Sequence, residues 1–339
     1  MVSSLRPVVR NQDEYADCVN QRVGSTGKTV GGLLDHVGMY KPPVLIIENV
    51  AALVNPTSEN WKAIKADIDS LQYVVKYFLV DSKDYGLHQR RPRAYLVAIR
   101  PSAFNLDMEA AYSLLQAIGQ NVQRLKINPL SQDWVMLPDD SQIVEQVLSH
   151  MQSRETDEKE KADWFAEHIS HVANLGVASN SIKVPDHVAS SPWYQTLPAR
   201  EQHILALHFQ DSAPREEIDL TGSLGRNAKS SPDESEVPCM IPNPKVWHVS
   251  RNRIKIGYEM MLHQGMPMQR ILDRSKVDVS QVNDKFLADL AGNAFCAPVY
   301  TAALLATLLA LPSEVRRDES DEDSRFVETL ESEIGDFFF

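Results

Sequence analysis

A carboxylate and an amide, Glu48 and Asn49, stand directly after the apolar run Val44-Leu45-Ile46-Ile47 and before Val50. At the carboxyl end of a buried strand, such a carboxylate is placed to meet a ligand in the crevice beyond the sheet. Capping of the following segment is the structural alternative. Further along, Asp84-Tyr85-Gly86-Leu87-His88-Gln89-Arg90-Arg91-Pro92-Arg93 concentrates three arginines and a glutamine just ahead of a second apolar run, Ala94 to Ile99. Pro92 favours an extended Arg91. The spacing therefore predicts that Arg91 and Arg93 project toward a common ligand, a phosphate or a polar ring edge. A solvated charge cluster is the bland alternative.

The elements that must hold these residues are legible around them. Lys41-Pro42-Pro43 delimits the first run, whose uninterrupted β-branched character predicts a strand buried on both faces, as in a parallel sheet. A helix from about Thr29 to Tyr40 precedes it, with Val30, Leu33, Leu34 and Val37 on one face. Ser58 caps an amphipathic helix carrying Trp61, Ile64, Ile68 and Leu71, and Tyr73 to Val80 reads as a strand. Gly24-Ser25-Thr26-Gly27-Lys28-Thr29 only superficially resembles a phosphate loop, because Arg22 stands where the pattern requires its first glycine. Residues 1–23 read as loop. Ala294 to Leu311 is uncharged and near span length, but Pro298, Tyr300, Thr301 and Thr307 favour a buried core helix.

Composition narrows the class. The 339 residues are 43% hydrophobic and 24% charged, enough for one large and one smaller domain of a soluble globular protein. Cys18, Cys239 and Cys296 are widely separated and fit neither a zinc site nor a disulfide framework, which predicts an intracellular, reduced setting. The formal charge is -12, of which -7 lies in Ser313 to Phe339, an acidic tail expected to be solvated and disordered, with Phe337-Phe338-Phe339 a docking tag or nothing. That balance argues against a general polyanion binder.

Pro43 to Val50 and Asp84 to Arg93 together resemble the Glu-Asn-Val and Gln-Arg-Arg-x-Arg blocks of the cytosine-5 DNA methyltransferases, in that family's order. Arg253 to Pro267, with Gly257-Tyr258-Glu259 and Gln264-Gly265-Met266-Pro267, is similar to a third block. Ala291-Gly292-Asn293-Ala294-Phe295 is similar to a fourth. The resemblance implies an α/β fold, a partial Rossmann-like, doubly wound sheet of the S-adenosylmethionine-dependent methyltransferase type with a smaller target-recognition region. It divides the chain into residues 1–128 (later half of the catalytic domain), 129–244 (target recognition), 245–312 (return to the catalytic domain) and 313–339 (tail). Of the tryptophans near the recognition region, Trp134, Trp164, Trp193 and Trp247, core packing is the expected role over base stacking.

By the same resemblance, a cysteine thiolate attacks C6 of a cytosine swung out of the duplex and C5 takes the methyl group of S-adenosylmethionine. Glu48 would hydrogen-bond the ring N3 and exocyclic amine and Arg93 the O2. Arg91 would lie beside the nucleotide backbone, with Asn49 and Gln89 supporting the substrate. Asn293, Ala294 and Phe295 would touch the cofactor, and no metal is expected. Two departures stand out: no glycine-rich cofactor loop precedes Glu48, and no Pro-Cys nucleophile turn is visible, Met1-Val2-Ser3-Ser4 resembling the tail of that turn. The expectation is a truncated form, inactive as this chain, with DNA (or RNA) as partner and another polypeptide supplying the missing half. A nuclear location follows if the source is eukaryotic. A noncatalytic binding module and a transfer-RNA cytosine methyltransferase relative are the other readings. Without its first strands, the sheet is expected to leave an apolar side uncovered.

Overall fold

The computed structural model describes residues 24–130, 132–153, 169, 183–210, 215–221, 239–277 and 283–311. Cys18, Trp164, the first residues and the acidic tail lie outside them. The chain divides into two compact units, one of residues 1–79, 93–126 and 300–339, the other of residues 80–92 and 127–299.

In the first unit, α1 (Gly24–Tyr40) leads through Lys41, in the left-handed region, into β1 (Val44–Val50). The helix expected from about Thr29 begins earlier, Gly24 to Lys28 forming its first turn. Ser58 caps α2 (Glu59–Ser70), its Oγ accepting from the Trp61 amide at 3.3 Å, as the sequence predicts. β2 (Val74–Asp81) and β3 (Pro92–Ile99) follow, then α3 (Met108–Arg124), capped by Asp107. The strands form a three-stranded sheet in the order β1-β3-β2.

β1 and β3 run antiparallel, with Leu45 opposite Ala98, Ile47 opposite Leu96 and Asn49 opposite Ala94. Strand alternation puts these residues on one face, where Val30, Leu33, Leu34 and Val37 of α1 and Ile64 and Ile68 of α2 share their core. The other face carries Ile46, Glu48, Tyr95 and Val97. α3 approaches it so closely that a Cβ on Gly119 would stand 2.3 Å from the Phe78 ring. Helices on both faces account for the uninterrupted apolar run. Such a run reports burial and not direction, and the neighbour that β1 acquires is antiparallel where a parallel one was expected. The uncovered side is also absent at β1, where Leu45 to Asn49 are at most 6% exposed.

The second unit carries a small antiparallel sheet, β4 (Glu217–Asp219), β5 (Val246–His248) and β6 (Arg253–Ile254), in that order. Around it stand α4 (Gln142–Gln152), α5 (Ala199–His208), α6 (Gly257–His263), α7 (Met268–Ser275) and α8 (Asp284–Asn293). Trp193, Ile204, Leu205, Trp247, Ile254, Met260 and Leu287 lie in one core. Trp193 and Trp247 are therefore packing residues, whereas Trp134 is exposed. Residues 239–277 and 283–299 belong to this second unit, and the chain returns to the first unit at Tyr300, within α9 (Ala297–Ala310). Val299, Ala302, Ala303 and Ala306 of α9 are buried. Among the described residues, no single helix is long and apolar enough to cross a membrane.

Candidate active site

Glu48 is fixed by register. It faces Tyr95 across the β1–β3 ladder, so Arg93, two residues back on β3, is its diagonal neighbour on the same sheet face. Arg93 Nε lies 2.9 Å from Glu48 Oε1, with the carboxylate side chain 3% and the guanidinium 15% exposed. Among the described residues Glu48 Oε1 has no hydrogen bond of acceptable angle, so its contact with Arg93 is a close ion pair. A buried carboxylate with unused acceptor capacity, one contact from a cation, can bind a donor edge. Asn49 lies on the opposite face. Its Oδ1 accepts from the Val50 amide at 2.7 Å, which fixes the strand end.

Gln89 and Arg91 belong to the second unit, in the loop between β2 and β3. Asp81 at the end of β2 pins that loop, its Oδ1 accepting from the Arg91 amide at 2.9 Å, and buried Ser82 donates its hydroxyl to the Gln89 carbonyl. Gln89 is fully buried, and its side-chain amide makes no hydrogen bond among the described residues. Arg90 is exposed, with Nε 4.0 Å from Asp81 Oδ2. Arg91 is 4% exposed and points inward, donating from NH1 to the Met240 carbonyl at 2.9 Å and from NH2 to the Ala294 carbonyl at 2.8 Å. The expected common ligand for Arg91 and Arg93 is thus replaced by separate partners: the chain turns Arg91 inward before β3 begins, while Arg93 is placed by the strand. Asp81 and Ser82 were not singled out from sequence. An acid and a hydroxyl at a strand end, bracketing an arginine-rich loop, were the available signal.

The third and fourth blocks lock together in the same unit. Gln264, fully buried, donates from Nε2 to the Ala291 carbonyl, and its own carbonyl accepts from the Ala297 amide, both at 2.8 Å. The Cys296 thiol donates to Gln264 Oε1 at 3.2 Å, so this cysteine is a packing residue. Gly265 adopts a φ of +74°, and a Cβ there would meet Pro298 at 2.4 Å. Asn293, last residue of α8, donates to the Asp289 carbonyl one turn back. Cys239 is half-buried, its Sγ 3.4 Å from Arg91 NH1. Neither described cysteine forms a disulfide.

Arg253 and Glu259 of the third block form a sealed structural pair, joined by NH1–Oε2 at 2.9 Å and NH2–Oε1 at 2.7 Å. The second unit also buries Lys255, which donates to Glu217 and, at 2.8 Å, to His263 Nδ1. Burial and the Lys255 charge hold His263 well below its ordinary range, hence neutral.

Residues 31–304 match the family model for C-5 cytosine-specific DNA methylase. A DNA (cytosine-5-)-methyltransferase DMT5 of Cryptococcus neoformans is 24% identical over 308 residues, 84% of this chain and 12% of that protein. The DMT5 of Verticillium dahliae is 22% identical over 309 residues, 85% of this chain and again 12% of the relative. The chain thus spans about an eighth of the length of these two curated relatives. Among solved structures, the Entamoeba histolytica methyltransferase EhMeth aligns over 91% of this chain and 75% of its own, at 15% identity and a TM-score of 0.42.

Proposed function

Because this chain belongs to the C-5 cytosine-specific DNA methylase family, we propose that its Glu48–Arg93 pair reads a cytosine for methylation at C5. The observation that carries the reading is the diagonal pair at the end of β1, a carboxylate with unused acceptor capacity beside a guanidinium. Glu48 accepts from the exocyclic amine and meets the ring N3, and Arg93 donates toward O2. Together they hold the ring edge so that C6 faces a thiolate. Asn49 fixes the strand end that carries Glu48, and Gln89 supports the arginine-rich loop.

The methyl donor is S-adenosylmethionine, which when bound supplies an electrophilic methyl group. Asn293, Ala294 and Phe295 are the chain's own candidates to hold it. The fit is to one wall only: among the described residues no glycine-rich turn leads into β1, which α1 precedes as continuous helix. The nucleophile is assigned to a segment outside the described residues or to another polypeptide, since Cys296 is sealed against Gln264. The substrate is proposed to be DNA, met in the nucleus if the source is eukaryotic.

The test is transfer of labelled methyl groups from S-adenosylmethionine to duplex DNA. It is measured for this chain alone and for any longer natural form of it. No transfer is expected from the chain alone. In the active extended form, Glu48→Gln and Arg93→Ala should each slow transfer by about a hundredfold or more. Unchanged rates in both variants would remove the assigned roles, and robust transfer by the chain alone, abolished by Cys18→Ser, would place the nucleophile within it.

A further inference from the structure

Arg91 is a nearly buried cation whose terminal nitrogens donate to main-chain carbonyls, which leaves open what its guanidinium is for. Its backbone amide is held by Asp81 Oδ1, so the side chain leaves the loop from a fixed root. Its two terminal nitrogens then reach carbonyls from two distant segments, Met240 ahead of β5 and Ala294 just after α8. A planar fork can satisfy two carbonyls at once, whereas an ammonium is a single compact point.

An independent feature ties the same two segments. A Cβ added to Gly292 would stand 2.2 Å from the Ile241 carbonyl oxygen and 2.5 Å from the Pro242 nitrogen, so backbone touches backbone there. Only a glycine permits that approach. Cys239, the residue before Met240, lies against the same guanidinium at 3.4 Å.

We propose that Arg91 is a positioning residue: by clasping the Met240 and Ala294 carbonyls it sets the Asn293–Phe295 turn against which the methyl donor is held, touching neither donor nor base. The donor part rests on the function proposed above, and the clasp itself does not. In this role Arg91 couples the arginine-rich loop, the lead into β5 and the turn after α8, three segments far apart in sequence.

The experiment uses the full chain as wild type, Arg91→Lys and Arg91→Ala. Three readouts are taken: hydrogen exchange in peptides spanning residues 239–246 and 291–299, the alkylation rate of Cys239 by iodoacetamide, and titration with S-adenosylhomocysteine. Arg91→Ala should raise exchange in both peptides and Cys239 alkylation by about tenfold, while β1 and β3 exchange at the wild-type rate. Affinity for S-adenosylhomocysteine should fall by about tenfold or more in Arg91→Ala and be partly restored in Arg91→Lys, which can still satisfy one carbonyl. Should Arg91→Ala fail to fold, Arg91→Lys carries the same comparison at smaller amplitude. Wild-type exchange and alkylation in both variants would overturn the clasp. Local loosening with undiminished affinity would overturn the positioning role. Failure of the wild-type chain to bind S-adenosylhomocysteine would instead remove the donor reading, with the exchange data still deciding the clasp.

Discussion

The Arg253–Glu259 pair of the second unit and the Glu48–Arg93 pair of the first use the same two residue types, yet differ in how fully their hydrogen-bonding capacity is engaged. Arg253 donates from Nε to Asp139 at 2.6 Å, from NH1 to the Ile254 carbonyl and Glu259, and from NH2 to the Leu137 carbonyl and Glu259. Glu259 also accepts from the Leu137 and Ile256 amides at 2.8 and 3.0 Å, so it caps α6 from within. Every guanidinium direction has an acceptor, and both carboxylate oxygens accept twice. Nothing remains for a ligand. Glu48, by contrast, has among the described residues one close cation and an Oε1 without a hydrogen bond. Saturation marks scaffold, and unused capacity in a nearly buried group marks a site.

The largest expected effect tests the saturated side of this contrast. Glu259→Ala strands a buried guanidinium and uncaps α6, and should cost about 3–5 kcal/mol in urea denaturation. A loss below about 1 kcal/mol would erase the distinction between the two pairs. Gly292→Ala comes next, at about 1–3 kcal/mol, because its new Cβ must displace the Ile241–Pro242 backbone. A neutral Gly292→Ala would show that the fourth block is looser than the Arg253 region.

A smaller effect appears as a pH slope. His248 on β5 is buried, and burial first, then the charges of Lys255 and Arg253, pull its pKa down from 6.5 to about 3. Nδ1 accepts from the Arg251 amide at 3.3 Å, so its approach to Glu216, at 3.0 Å, is not a charged pair. Below pH 6.5 the unfolded chain binds a proton that the folded chain refuses. The stability from neutral His248 is therefore present above about pH 6.5 and lost as pH falls toward 3, at about 1.4 kcal/mol per pH unit. Thermal melts at pH 7 and 5.5 should show a steeper loss in wild type than in His248→Asn, and equal slopes would refute the assignment.

Local signals were readable in the sequence and distant pairings were not. Ser58 announced α2, and the apolar runs announced β1 and β3, because caps and burial leave marks at fixed short spacing. α3 was equally marked, by Asp107 and by Ala111, Leu114, Leu115, Ile118 and Val122, yet its stripe went unread beside the stronger motif that precedes it. The direction of β3, the inward turn of Arg91 and the Lys255–Glu217–His263 cluster depend on partners far away in the chain. No local period encodes them. Glu48 and Arg93 were found as motif members, but only the antiparallel register made them diagonal neighbours.

The smallest stability effect falls where the functional effect is largest. Glu48→Gln keeps the shape of the side chain and removes a charge that is 3% exposed and satisfied by one close cation. Desolvating that carboxylate already works against the fold, and the contact with Arg93 offsets only part of it. The amide should therefore fold about as well, with a change in unfolding free energy of no more than about 1 kcal/mol in either direction. Cytosine presents one donor, its exocyclic amine, and two acceptors, N3 and O2; an amide can match that edge but cannot deliver a proton to N3, so the loss falls on methyl transfer and not on folding. Denaturation of Glu48→Gln beside Glu259→Ala is the direct measurement. If both lose 3 kcal/mol or more, Glu48 is scaffold after all, and the contrast between the two pairs fails at the residue on which the proposed function rests.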